Sequence, residues 1–348
     1  MENETRIKSG LISVIMSNYN TPELFLTAAI ESVLSQTYKN FEFIIIDDCS
    51  TDDSLKIIES YSDERIKILK NERNLGITKS LNRGLKIASG EYIARMDSDD
   101  ICYPQRFERQ IEFLRSNPGY IVCGTGIEQI DEWGNLRINK QQCRDIPERE
   151  EYQIYLLFAN NPNIVHPTAM FNHGLLIENQ ITYDENYVLA QDYRMWVTCS
   201  EYAECGNVPE ILLKYRVHSK AVSNERREKQ RLFALNNIKE QLKKLSIELP
   251  KEYEHIHENF LFSRCPYSIE YKKWIMLIIK QNQKYHVYNQ KKLEQILWRK
   301  WVEISYFEIR TQKNLLKLIK CIAEIPISYM GQLLLIKKER YEKFRESN

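Results

Sequence analysis

Four times in its first hundred residues this chain repeats one unit, a short apolar and β-branched run that ends in a polar cluster. The runs are Leu11 to Ser17, Phe41 to Ile46, Arg65 to Lys70 and Tyr92 to Met96, and helical periods follow from Glu23, after Ser50 or Thr51, and from Ile77 to about Ala88. Connections of that length are too long for hairpins, so the pattern predicts a parallel sheet with helices on both faces. Sheets of this kind bind ligands beyond the carboxyl ends of their strands. Those ends carry Ser17-Asn18-Tyr19, Asp47-Asp48, Asn71 to Asn74 and Asp97 to Asp100, which therefore converge on one crevice.

The fourth run carries the most chemistry, because a buried-looking strand leads straight into Asp97, Asp99 and Asp100. In an extended backbone Asp97 and Asp99 point one way and Ser98 and Asp100 the other. Two carboxylates on one side repel unless a cation or solvent separates them. Oxygen ligands suit Mg2+ or Mn2+, which commonly bridge carboxylates to a substrate's phosphates. The expectation is a metal-diphosphate site, with Asp100 capping a helix near Tyr103-Pro104. Other phosphate binders are excluded: no Gly-x-Gly-x-x-Gly follows the first strand, and no Gly-Lys-Ser/Thr loop exists.

At 348 residues, 43% hydrophobic and 28% charged, the chain can bury one large core and carry a second unit. A net charge of +1 gives no global pull towards nucleic acid. The eight cysteines (49, 102, 123, 143, 199, 205, 265 and 321) form no Cys-x-x-Cys pair and no zinc spacing, so reduced thiols are expected. The polar start lacks the apolar core of a signal peptide, and Glu324 and Gln332 interrupt the best candidate membrane span. A cytoplasmic protein, peripheral at most on the inner face of the plasma membrane, is the expectation.

The ordered series SVIMSNYN (13–20), IIIDDCSTDDS (44–54) and NERNLG through DSDD (71–100) closely resembles the N-terminal half of family-2 glycosyltransferases. The likeness continues through HPTAMF (166–171), AQDYRMW (190–196) and YRVHSKAVS (215–223), and the wording of residues 94–97 resembles the branch that builds bacterial capsular, exopolysaccharide and O-antigen units. The resemblance implies a GT-A fold, Rossmann-like with a mainly parallel sheet flanked by helices, and a helical C-terminal extension. It places the catalytic domain at 1–222, with a nucleotide-binding half (1–100) and an acceptor half (101–222), and leaves 223–348 helical. It implies an inverting, metal-dependent transfer of a sugar from a nucleotide-sugar donor, UDP-linked, to a saccharide or polyprenyl-linked acceptor, with Mn2+ or Mg2+ and no nucleic acid.

Residue by residue, the resemblance puts Tyr19 and Asp48 at the base, where a ring offers a flat face and a carboxylate accepts an imide N–H. Ser17 and Asn18 accompany them. Asp97 and Asp99 correspond to the metal-binding pair, with Asp99 the direct ligand and Asp97 nearer the ribose. His218 falls where members place a histidine near metal and diphosphate. Arg95 is a diphosphate or sugar contact, or an outward-facing strand residue. Asp192 matches the carboxylate that takes the acceptor's proton; as a helix cap it would also satisfy the sequence. His166 shapes the acceptor pocket, and His255 and His257 beside Glu258 read as surface.

Beyond Val222 the strand signals give way to helices. Between Glu270 and Trp301 bases outnumber acids, and Trp274, Ile275, Leu277, Ile278, Leu293, Leu297, Trp298 and Trp301 lie among them. Such helices can lie in an anionic headgroup layer or pack as a bundle with solvated lysines; the sequence permits both. Two other classes are open: a sugar-phosphate nucleotidyltransferase, which would also use paired acids and Mg2+, and a non-catalytic GT-A-like binding protein, against which Asp48, Asp97, Asp99 and Asp192 all argue.

Overall fold

The computed structural model describes residues 7–141, 145–158, 164–218, 227–260, 269–312 and Pro326. The described chain forms two compact units, residues 1–149 with 162–234, and residues 150–161 with 235–348. Glu324, Gln332, Glu258's side chain, Cys143, Cys265, Cys321 and the end of the 215–223 motif lie outside what is described.

The first unit begins with β1 (Lys8–Asn18), α1 (Glu23–Leu34), β2 (Phe41–Asp47), α2 (Ser54–Glu59), β3 (Ile66–Lys70), α3 (Ile77–Ile87) and β4 (Gly90–Asp97). There follow β5 (Ile101–Cys102), α4 (Arg106–Ser116), β6 (Tyr120–Ile130) and β7 (Leu136–Gln141). After α5 (Arg149–Leu157) come a 3-10 turn (His166–Thr168), β8 (Met170–Asn172), α6 (His173–Glu178), α7 (Gln191–Tyr202) and β9 (Glu204–Arg216). Among the described residues the sheet runs β3-β2-β1-β4-β8-β6-β9-β5, with β7 beside β6. The four predicted units are there, and β1 to β4 pair in parallel. The sheet becomes mixed beyond β4, where β8 pairs antiparallel to it.

β1 lies between β2 and β4, so the chain winds one way through β3 and then crosses to the other side of β1. That reversal opens a crevice at the carboxyl ends of β1 and β4. Strand alternation assigns the two faces of β1. Ile12, Val14 and Met16 join the core with Leu26, Ala29, Ile30 and Val33 of α1 and Phe107, Ile111 and Leu114 of α4. Ile15 faces α3, where Gly84 lets the helix sit close: a Cβ there would stand 2.6 Å from Ile15 Cγ2.

The opposite, amino end of the strands is closed by a buried polar network. Glu42 accepts hydrogen bonds from Ser13 Oγ, from the Ser89 N–H at 2.7 Å and from Lys67. Burial pushes its carboxyl up, but Lys67, Ser13 and Ser89 together hold it below the ordinary value. Ser13 in turn accepts from the Gly90 N–H at 2.8 Å. Neither Ser50 nor Thr51 caps α2, whose N-cap position is Asp53. Ser50 instead accepts from the Asn20 N–H and from Asn18 Nδ2, each at 3.1 Å, because the chain turns back onto β1 before α2 begins at Ser54.

Among the described residues the second unit is helical. It takes residues 150–157 of α5, the last turns of α8 (Arg227–Lys244), and α9 (Lys251–Phe260), α10 (Ile269–Tyr285) and α11 (Gln290–Gln312). Trp274, Ile275, Ile278, Leu293, Leu297, Trp298 and Trp301 are buried in its core, so the aromatic face packs as a bundle, while Lys273, Lys280 and Lys284 are exposed. His257 is not at the surface as expected: its Nε2 meets the Leu157 carbonyl at 3.0 Å and its Nδ1 accepts from the Trp274 indole at 3.1 Å. Both ring nitrogens are therefore used internally. Among the described residues no helix is long and apolar enough to cross a membrane, and the five described cysteines are free thiols.

Gly90 is where two strands come too close for a side chain. A Cβ there would lie 2.6 Å from Ser13 N and 2.7 Å from Leu11 O, both backbone atoms of β1 that cannot rotate away. Gly90→Ala is expected to lower stability by about 1–3 kcal/mol, read as an earlier midpoint in guanidinium unfolding; an unchanged midpoint would show that β1 and β4 yield freely.

Candidate active site

The end of β1 is shaped by its last residues. Asn20 is left-handed (φ 51), a conformation asparagine tolerates better than most residues, and its side chain accepts from the Thr51 N–H at 2.8 Å. Asn18 is buried and donates to Asp47 Oδ1 at 3.1 Å. Tyr19, between them, is left 48% exposed with its ring free to stack. Ser17 stands in register beside Asp97 across the β1–β4 pair.

Asp47 and Asp48 divide the work at the end of β2. Asp47 serves the turn, taking Asn18 Nδ2 and the Ser50 N–H. Asp48, only 2% exposed, reaches the loop after β3: Oδ1 accepts from Asn71 Nδ2 at 2.6 Å and the Leu75 N–H at 2.7 Å, and Oδ2 from the Gly76 N–H at 2.8 Å. One carboxylate thus holds the loop in front of α3. A residue singled out for base contact is also the loop's anchor, a role its sequence gives no sign of.

β4 ends at Asp97, and the chain turns at Ser98 and Asp99. The alternation expected of Asp97 to Asp100 stops there, so Asp100 swings to the same side as the other two. Oxygens of Asp97, Asp99 and Asp100 all lie within 4.8 Å of one another. Ser98 faces away and pairs with Thr21 Oγ1 at 2.7 Å. Asp100 caps no helix, since α4 begins only at Arg106. Its Oδ1 accepts from the Arg216 N–H at 2.8 Å, and its buried Oδ2 meets no donor among the described residues. Burial, then Asp99 and Asp97, push the Asp100 carboxyl well above its ordinary value, and Asp97 is raised by burial and by Asp99 against the pull of Arg95.

Arg216, which the sequence reading passed over inside YRVHS, ties this corner together. Its Nε donates to the Asp99 carbonyl at 2.8 Å, its Nη1 to the carbonyls of Asp131 and Glu132 at 3.0 and 3.2 Å, and its guanidinium lies 4.4 Å from the Phe25 ring centre. Two residues on, His218 Nε2 stands 3.0 Å from Asp99 Oδ2. The predicted histidine and the predicted carboxylate are therefore in direct contact.

Behind Asp97 lies Arg95, buried rather than outward-facing. Its Nη1 is 2.5 Å from Asp97 Oδ1, and its Nε meets no acceptor among the described residues. Arg106, fully buried at the start of α4, donates to the Arg95 carbonyl at 2.8 Å and so fixes the end of β4 from below. Asp192 lies in the first turn of α7, where a carboxylate is favoured by the helix N-terminus. It accepts from the Tyr193 N–H at 2.8 Å but does not cap the helix; burial raises its carboxyl above the ordinary value. Ala190, just before the helix, is left-handed (φ 55). His166 Nε2 meets the Tyr183 hydroxyl at 2.8 Å, and burial, with Arg95 nearby, pushes the imidazole well below its usual value.

The donor set suits a hard divalent cation. Three carboxylates converge, one of their oxygens is buried with no donor among the described residues, and all are oxygen ligands of the kind Mg2+ and Mn2+ prefer.

The family model described as Glycosyl transferase family 2 matches residues 13–179. A glycosyltransferase of Methanocaldococcus jannaschii is 36% identical over 235 residues, 66% of this chain and 78% of the relative. The UDP-Glc:alpha-D-GlcNAc-diphosphoundecaprenol beta-1,3-glucosyltransferase WfaP of Escherichia coli is 32% identical over 61% of this chain and 80% of its own length. Among solved structures, S. aureus TarS 1-349 in complex with UDP-GlcNAc superposes with a TM-score of 0.57 at 18% identity, covering 94% of this chain and 92% of that one. The chain spans 54% of a longer TarS chain. At that identity the likeness to TarS shows the fold.

Asp100→Asn tests the electrostatics of the acidic corner without removing its contact to the Arg216 N–H. A carboxyl raised in the folded state favours folding only below its ordinary value of about 4, and that benefit is lost as pH rises through the folded value. Free of divalent cation at pH 7, the variant is expected to melt a few degrees above the wild type, with the gap shrinking as the pH is lowered through the folded value and gone by about pH 4. A variant that melts lower at pH 7 would contradict the assignment.

Proposed function

This chain belongs to family 2 of the glycosyltransferases, and from that premise we propose that it is an inverting, metal-dependent enzyme that moves a sugar from a UDP-linked donor to a polyprenyl-linked saccharide in surface polysaccharide synthesis. The observation that carries the reading is the acidic corner at the end of β4, set at the reversal of strand order. The names of WfaP and of the TarS complex support the UDP donor, and that of WfaP the lipid-linked acceptor.

Residues 1–100 form the nucleotide half. The base lies on the exposed ring of Tyr19, and Asp48, whose Oδ2 has a single hydrogen-bond partner among the described residues, accepts its imide N–H. Ser17 and Asn18 line the ribose side beside Asp97. Asp97, Asp99 and Asp100 would hold Mn2+ or Mg2+, with His218 bearing on Asp99. When bound, the ion neutralises charge on the departing diphosphate as a Lewis acid. Arg95 acts one step back, holding Asp97 in place and balancing part of the corner's negative charge.

Residues 101–222 form the acceptor half. Asp192 takes the proton of the acceptor hydroxyl as that oxygen attacks the anomeric carbon from the face opposite the diphosphate. The new C–O bond forms as the bond to the diphosphate breaks, its electron pair leaving with the phosphate oxygen, so one displacement inverts the centre. His166, neutral and held by Tyr183, lines the acceptor pocket. A lipid-linked acceptor accords with a cytoplasmic enzyme peripheral on the inner membrane face. The exposed lysines of α10 are offered for that contact, since the aromatic face is internal.

A thermal-shift panel of nucleotide sugars with and without Mn2+ tests the donor: UDP-sugars are expected to raise the melting temperature only with the metal. Asp99→Ala should abolish that dependence; indifference of the wild type to every UDP-sugar would sink the donor assignment. Asp192→Asn is expected to bind donor normally and to transfer about a thousandfold more slowly, whereas transfer at the normal rate would remove Asp192 as the base.

Because burial raises Asp192, the wild-type transfer rate should begin to fall on acidification while still above the ordinary carboxylate range near pH 4. An acid limb at or below that range would show that another group sets it.

A further inference from the structure

α3 is gripped along two edges by different parts of the crevice. On one edge Asp48 takes the N–H groups of Leu75 and Gly76 just before the helix, Asn71 Nδ2 bonds Ser80 Oγ at 2.9 Å, and Arg83 reaches Asn71 and the Lys70 carbonyl. On the other edge Asn82 makes a reciprocal pair with the backbone of Tyr183, its Nδ2 donating to the carbonyl at 2.8 Å and its Oδ1 accepting from the N–H at 3.0 Å. One turn earlier Thr78 Oγ1 donates to the Tyr187 carbonyl at 2.9 Å. The helix cannot slide between these edges easily, because Gly84 seats it directly on Ile15 and Ile46.

Residues 183–187 are in turn joined to the helix that carries the base. Arg194 of α7 pairs with Asp184 at 3.4 Å and lies 5.4 Å from the Tyr187 ring centre. Asp192 lies two residues before Arg194, in the first turn of that helix. A continuous set of contacts thus runs from the loop at the nucleotide, through α3 and residues 183–187, to the first turn of α7. Side-chain amides that mimic a peptide on both sides fix a segment in position more firmly than a single bond, since both a donor and an acceptor must break together.

We propose that Asn82 is a positioning residue through which occupation of the nucleotide site sets the placement of Asp192, with Thr78 as its partner on the same helix edge. The proposal rests on the reading of Tyr19, Asp48 and the acidic corner as the nucleotide site and of Asp192 as the base. Its physical content is a coupling between two loops carried by a helix bonded to both. Nucleotide that orders residues 71–76 orders residues 183–192 as well, and Asn82 is the joint.

Hydrogen exchange of the full chain, read by mass spectrometry with and without UDP and Mn2+, tests this directly. In the wild type the nucleotide is expected to slow exchange at 71–76 and at 183–192. In Asn82→Ala, and in the near-isosteric Thr78→Val, protection at 71–76 should persist while the slowing at 183–192 shrinks, by about tenfold for the two backbone bonds to Tyr183 lost in Asn82→Ala. A residue that merely held the fold together would raise exchange equally with and without nucleotide. If UDP protects 71–76 and both variants match the wild type at 183–192, the coupling is wrong. If it protects neither segment of the wild type, the nucleotide reading falls and takes the coupling with it.

Discussion

Mutual repulsion among Asp97, Asp99 and Asp100 is the constraint to which the rest of the first unit answers. Three carboxylates inside 4.8 Å, one of them almost fully buried, would not stay together without compensation. The protein supplies part of it: Arg95 from behind, the Arg216 N–H from β9, and His218 against Asp99. None of these removes the excess of negative charge, and an oxygen of Asp100 meets no donor among the described residues. The donor set suits the divalent cation proposed above, and the need to offset this charge organises β4, β9 and the turn between β4 and α4.

The same requirement explains why so much of the site is indirect. Arg95 does not face the crevice; Arg106 sits below Arg95; Asp48 grips the loop in front of α3 as well as the place assigned to the base. A site whose central groups repel needs its neighbours fixed, because a small displacement changes the local field steeply.

The strands and their polar ends were legible because period-two apolar runs and acidic termini are local signals. Tyr19, Asp97, Asp99, Asp192 and His218 could be singled out by motif. What could not be read were contacts set by the tertiary path. Strand alternation sets Asp100 apart from its neighbours, since nothing in the sequence shows that the strand stops at Asp97 and the chain turns. Arg216, Asn82 and Tyr183 carry no local signal, and their partners lie about a hundred residues away. The basic and aromatic C-terminal helices gave an ambiguous pattern, and burial decided it: Trp274, Trp298 and Trp301 fill a core.

Ala190 gives the region its last lesson. A methyl group in the left-handed region is less comfortable there than glycine by about 1 kcal/mol, yet this is the joint that leads into α7. Glycine would relax the joint and also let it wander over many more backbone angles. Keeping alanine confines the entry to a single bend, so Asp192, the proposed proton acceptor, is carried on a stiff elbow and not on a swinging arm.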